Sequence, residues 1–195
     1  MLTTHGQGGQ YNRVLDIGDP APNWKELPGV DGKPHSLADF DQAEAMVIVF
    51  TCNSCPYAVD AQQRLIALTK DYRDRGVEVV AINSNSVDDD SLEAMRQRAQ
   101  QAGFNFSYLK DETQQIAKAY GAGYTPEFFV FDSQRHLVYM GSLDDSPDGK
   151  QVGEQYVRKA LDAALTGSEP AATETVPIGC RIRFERKRRS RDRDE

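Results

Sequence analysis

The stretch Ala45-Met-Val-Ile-Val-Phe-Thr-Cys-Asn-Ser-Cys-Pro-Tyr57 limits the folds open to this chain more than any other. Its continuous apolar start, Met46 to Phe50, suits a strand covered on both faces, as in a parallel sheet. The residues after it change period. Ala58, Ala61, Leu65, Leu68 and Tyr72 recur at helical spacing and form one apolar stripe. Extended back by three residues, that stripe lands on Cys55 and leaves Cys52 off it. The spacing therefore predicts a strand running into C-x-x-C at the mouth of an amphipathic helix, with Cys52 solvent-facing and Cys55 shielded. A cysteine at a helix N-terminus gains from the macrodipole and from free backbone amides, which favour thiolate over thiol. Lowering a cysteine pKa from about 8.5 to about 7 corresponds to roughly 2 kcal/mol.

The same alternation of strand and helix continues along the chain. The helix from Pro56 is expected to reach Arg75 and stop at Gly76, as a C′ glycine stops a helix. Val77–Ile82 reads as a second core strand, and Asn83–Asp90 as a hydrated polar loop at its end. Ser91–Gln101 reads as a helix closed by Gly103, Phe106–Leu109 as a short strand, and Glu112–Tyr120 as a short helix. Phe128–Phe131 is a third buried strand with Leu137–Met140 as its hairpin partner, and Gly153–Leu165 is the last helix. Upstream, Trp24 is a core anchor, Asp31-Gly32 signals a hairpin, and Ser36-Leu-Ala-Asp39 caps a helical turn. Residues 1–17 read as a flexible arm, 18–184 as one domain and 185–195 as a disordered charged tail. The fold class is α/β, a central mixed sheet flanked by helices with an N-terminal hairpin extension.

Composition narrows the chemistry. The chain has 195 residues and a formal charge of -7, so nucleic acid is not the expected partner of the folded part. No signal peptide and no membrane-spanning run stands out, which makes the cytoplasm the expected location and structural disulfides unexpected. A zinc site wants four ligands; the C-x-x-C has no second pair, and His5, His35 and His136 are scattered. The expectation is no metal and no cofactor. Redox use of Cys52 and Cys55 is the reading, since a C-x-x-C beside a βαβ pattern marks that chemistry.

Phe50-Thr-Cys-Asn-Ser-Cys-Pro56, Thr125-Pro126 before a strand, Asp31-Gly-Lys33 with Ser36-Leu37, Ala81-Ile-Asn-Ser-Asn85 and Pro177-Ile-Gly-Cys180 fall in order. Together they resemble the thioredoxin superfamily, in its peroxiredoxin-like alkyl hydroperoxide reductase/thiol-specific antioxidant branch. The resemblance covers roughly residues 16–184. It implies a thioredoxin-like fold and places Thr125-Pro126 opposite the cysteines with the proline cis. The Thr125 backbone is then open to pair with a substrate chain. Tyr124 stands where this branch often carries another cysteine, and walls the groove instead.

Two chemistries compete for these sulfurs. In dithiol–disulfide exchange, Cys52 attacks a disulfide of a protein or small molecule, Cys55 resolves the mixed disulfide, and a dithiol reductant such as a thioredoxin system restores the pair. In peroxide reduction, Cys55-Pro56 takes the peroxidatic place. Enzymes of that kind carry a proline seven residues before that cysteine and a hydroxyl residue three before it. Here those positions hold Ile48 and Cys52, and no arginine can be matched. Exchange is therefore preferred, peroxidase is the alternative, and a non-cycling redox sensor is a third class. Cys180 reads either as a relay thiol or as a small packed residue. The run Arg186–Arg191 is interleaved with acidic residues and reads as a solvated end.

Overall fold

The computed structural model describes residues 8–185. Its strands are β1 (Leu27–Pro28), β2 (Pro34–His35), β3 (Ala45–Phe50), β4 (Val77–Asn83), β5 (Ser107–Lys110), β6 (Tyr124–Thr125), β7 (Glu127–Phe131), β8 (Leu137–Gly141) and β9 (Cys180–Arg181). Its helices are α1 (Pro56–Tyr72), α2 (Leu92–Ala102), α3 (Gln115–Ala119) and α4 (Tyr156–Thr166). β3 is buried at every position. Successive side chains on a strand point to opposite faces, so Ala45, Val47 and Val49 enter one apolar cluster and Met46, Ile48 and Phe50 the other. With two cores to serve, the strand has no place for a polar residue.

The main sheet has the order β5-β4-β3-β7-β8. β3, β4 and β5 are parallel, while β7 and β8 join antiparallel. The expected mixed sheet is thus present, with its central strand feeding the C-x-x-C. One face is covered by α1, α4 and Met95 of α2. The other is covered by α3 and by N-terminal residues that include Trp24, Leu37 and Phe40. α1 buries Ala58, Ala61, Leu65, Leu68 and Tyr72, the stripe read from the sequence. It gives way to a 3-10 turn at Arg73–Arg75, and Gly76 follows at φ 75°. Among the described residues no helix is long and apolar enough to cross a membrane.

Several expectations need correction. Residues 8–17 are no loose arm: Asn12 and Leu15 are buried, and Asn12 Nδ2 donates to the Tyr120 carbonyl at 2.8 Å. The Asn12 carboxamide also accepts from the Val14 and Leu15 amides, which turns the segment inward. The hairpin at Asp31-Gly32 exists, but its strands are two residues long and Gly29–Lys33 forms the loop. The segment after α4 is more than a linker. Thr173 accepts from the Met140 amide and Thr175 donates to the Met140 carbonyl, so it lies along the outer edge of β8. Residues 1–7 and 186–195, including the basic run Arg186–Arg191, lie outside the described residues.

Candidate active site

β3 ends at Phe50, and Thr51 to Cys55 make an irregular bridge into α1. Pro56 occupies the first helical turn, where its missing N–H costs nothing. Cys55 is the N-cap residue, in extended conformation at φ -95° and ψ 121°. The helical phase therefore cannot be carried back to Cys52, and the predicted solvent-facing position of that sulfur is wrong. Both cysteines are buried, Cys52 at 1% and Cys55 at 2% exposure. It is Cys55 that stands nearest the free amides of α1.

Both sulfurs converge on Thr125. Cys52 Sγ lies 3.3 Å from Thr125 Oγ1, and Cys55 Sγ lies 3.0 Å from the Thr125 carbonyl oxygen. The Thr125–Pro126 bond is cis, as the resemblance implies. Pro126 joins Phe104, Phe106 and Tyr108 in lining a narrow apolar crevice at Cys52. Cys180 packs on Cys52, Cys55 and Ala58. Tyr124, by contrast, stands beside the sulfur cluster without joining it. It pairs with Arg181 across β6 and β9, and the guanidinium lies 5.6 Å from its ring centroid.

The cysteines do not titrate as independent groups. A hydrogen bond between them raises the Cys52 thiol and lowers the Cys55 thiol below its usual range. Burial opposes ionisation of Cys55, but bonds from the Cys180 thiol and the Ala58 and Cys180 amides support the anion there. Burial and the Asp90 carboxylate further raise Cys52. The pair titrates together, with ionisation favoured at the N-cap sulfur over Cys52. The helix-mouth expectation, which favours the thiolate at Cys52, is reversed in direction.

Beneath the C-x-x-C loop lies a polar network that the sequence reading took for a hydrated loop. Asp90 is fully buried and its carboxylate accepts from the Asn53 amide and Ser54 Oγ at 2.6 Å each, and from Asn83 and Asn85 Nδ2 at 3.0 Å each. Burial alone would raise its pKa; the bonds from Ser54, Asn85, Asn83 and Asn53 overcome this and hold the carboxyl below the ordinary range. Lys110 Nζ donates to the carbonyls of Asn85 and Asp90, and Tyr108 Oη donates to Asn53 Oδ1 at 3.1 Å. Burial lowers the Lys110 ammonium, with the Asp90 charge opposing that shift. Asn53 and Ser54, the two residues inside C-x-x-C, are fixed by this network. The available signal was the cluster Asn83–Asn85 with Asp88–Asp90 at the carboxyl end of a parallel strand. Glu127, next to Pro126, is also buried and accepts from the Gly123 and Tyr124 amides at 2.8 and 3.0 Å. Burial pushes its carboxyl up to about 7. Among the described residues no group of three or more His, Cys, Asp and Glu side chains is arranged to hold a metal ion.

The profile of the AhpC/TSA family matches residues 17–140. The chain belongs to the AhpC/TSA family. It therefore lies in the redoxin branch of the thioredoxin superfamily, in keeping with the fold. A curated relative, the thiol-disulfide oxidoreductase ResA of Bacillus anthracis, is 26% identical over 148 residues, covering 74% of this chain and 79% of that protein. Among solved structures, an uncharacterized conserved protein from Geobacillus kaustophilus is similar at TM-score 0.84 and 39% identity, covering 91% of this chain and 96% of that one. A thioredoxin-family thiol:disulfide interchange protein from Chlorobium tepidum TLS shares the fold at TM-score 0.61 and 20% identity, over 77% of this chain and 99% of its own.

Proposed function

We propose that this protein is a thiol–disulfide oxidoreductase that reduces client disulfides through Cys52 and Cys55. The observation that carries the reading is the convergence of both sulfurs on Thr125, one at its hydroxyl and one at its carbonyl. A relative named thiol-disulfide oxidoreductase lends further support. In this reading Cys52 is the attacking sulfur, with an apolar crevice lined by Phe104, Phe106, Tyr108 and Pro126 beside it. As Cys52 attacks, its proton passes to Cys55, and the leaving client sulfur departs as a thiolate. The Cys55 thiol then has the Thr125 carbonyl as its acceptor. In the second step Cys55 gives up that proton, its sulfur bonds to Cys52, and the second client sulfur leaves. The client gains two electrons, the protein holds a Cys52–Cys55 disulfide, and a dithiol donor reduces it again.

Peroxide reduction at Cys55 is the second reading, favoured by the stabilised anion at the N-cap ahead of Pro56. Insulin-disulfide reduction and hydrogen-peroxide turnover, each coupled to a dithiol donor, separate the two. For exchange, Cys52→Ser abolishes attack and Cys55→Ser accumulates mixed disulfides. Loss of turnover in Cys55→Ser alone, with peroxide as the better substrate, would reverse both the roles and the reaction.

A further inference from the structure

The C-terminal segment returns across the molecule and ends on the cysteines. β9 pairs antiparallel with β6, with Cys180 opposite Thr125 and Arg181 opposite Tyr124. The approach is tight: a Cβ on Gly179 would meet the Thr125 carbonyl oxygen at 2.2 Å. The segment is held at both ends. Upstream, Ser142 Oγ donates to the Val176 carbonyl and accepts from the Ile178 amide. Downstream, the Ile182 amide donates to the Gly123 carbonyl, and the Arg183 amide to Asn85 Oδ1 at 2.8 Å. Gln114 Nε2 donates to the Arg183 carbonyl and Gln114 Oε1 accepts from the Glu185 amide.

These contacts fix the course of β9 across the site. They set a third sulfur against Cys55. Cys180 packs on the cluster formed by Cys52, Cys55 and Ala58, and its carbonyl accepts from Thr125 Oγ1 at 3.5 Å. Burial, and then the neighbouring Cys55, keep the Cys180 proton in place. The sulfurs of Cys52, Cys55 and Cys180 thus share one cluster, in which Cys55 can change its bonding partner without a large rearrangement of the chain.

We propose that Cys180 is a third redox thiol of this site, forming a Cys55–Cys180 disulfide that alternates with Cys52–Cys55. The inference rests on the exchange reading for the origin of the first disulfide. The Cys180 sulfur attacks Cys55 in the Cys52–Cys55 disulfide. One S–S bond forms, one breaks, the Cys180 proton ends on Cys52, and no electron leaves the chain. The swap frees Cys52 as a thiol and ties β9 covalently to the start of α1. A client disulfide oxidises the pair, and the relay stores that oxidation on the segment that covers it.

The test uses the full chain in a glutathione redox buffer, quenched with acid, alkylated and digested with trypsin. No Lys or Arg lies between Pro34 and Gln63, so a Cys52–Cys55 bond stays inside one peptide and a Cys180 bond joins two. The expected result is a joined pair in the wild type at intermediate redox ratios. It should become the dominant oxidised form in Cys52→Ser and fall at least tenfold in Cys55→Ser. Cys180 alkylated at every ratio in the wild type, or a Cys52→Ser chain with glutathione on Cys55 and a free Cys180, overturns the proposal. The wild-type measurement stands even if a variant fails to fold. Insulin turnover in the same preparation keeps the two readings apart. Turnover without the joined peptides rejects only the relay, and joined peptides without turnover support the Cys55–Cys180 bond while rejecting the exchange enzyme.

Discussion

Replacing Glu127 by Gln isolates a buried charge beside the site. Glu127 sits at 4% exposure, next to Pro126 and opposite Phe50 on β3. Its carboxyl titrates at about 7, against an ordinary value of 4.5. The folded-state pKa is raised, so between these values the folded chain holds a proton that the unfolded chain has released. Stability is then unpenalised below about 4.5, falls as pH rises towards 7, and levels off above it. A difference of about 2.5 pH units, at about 1.36 kcal/mol each, makes the full loss about 3 kcal/mol. Glutamine keeps the shape and an acceptor oxygen for the Gly123 and Tyr124 amides but does not ionise. Urea denaturation of wild type and Glu127→Gln from pH 4.5 to 8 should show the variant gaining about 3 kcal/mol relative to wild type across the range. Other titrating groups are common to both chains and cancel in the difference. A gap that changes by less than about 1 kcal/mol would refute the buried-charge reasoning.

Three other perturbations probe the site. The reduced wild type should keep its thiolate absorbance at 240 nm well below the usual thiol pKa of about 8.5, and Cys55→Ser should lose that band at neutral pH; a midpoint at or above 8.5 in the wild type contradicts an anion on Cys55. Asp90→Asn removes the charge that four donors address while keeping its shape, and should lower unfolding stability by about 2 kcal/mol. The same variant should slow insulin reduction, since Asn53 and Ser54 lose their anchor; unchanged stability and rate would make the network incidental. Gly179→Ala forces a methyl into the Thr125 carbonyl and should release β9. Limited trypsin digestion would then cut faster at Arg181 and Arg183, and an unchanged digestion rate would show that the segment shifts to accommodate the methyl.

Much of the scaffold can be read locally. The run Met46–Phe50 declares a doubly covered strand because each of its side chains, whichever way it points, meets a core. The stripe Ala58–Tyr72 declares a helix because burial there follows a 3.6-residue period. Gly76, Gly103 and Gly167 mark three helix ends, each with positive φ that a glycine adopts at no cost. The position of the sulfurs was harder to read. The helical period places Cys52 in solvent only if residues 52–55 are helical, and Pro56 starts the helix after them. The Asn83–Asp90 stretch is polar by composition, yet it is buried because its donors and acceptors meet Lys110, Ser54 and Tyr108 from other elements.

The sequence by itself determined the α/β scaffold, the family resemblance and the pair Cys52/Cys55, since apolar period and motif spacing are properties of neighbours along the chain. The tertiary structure alone decided three things. It buried both sulfurs against Thr125, it placed Asp90 beneath the residues between them, and it brought Cys180 to Cys55 across 124 intervening positions in a chain of 195. Each depends on contacts between distant elements. Acidity follows from those contacts as well: the anion settles on Cys55 because its hydrogen-bond donors come from Cys52, Ala58 and a strand at the far end of the chain.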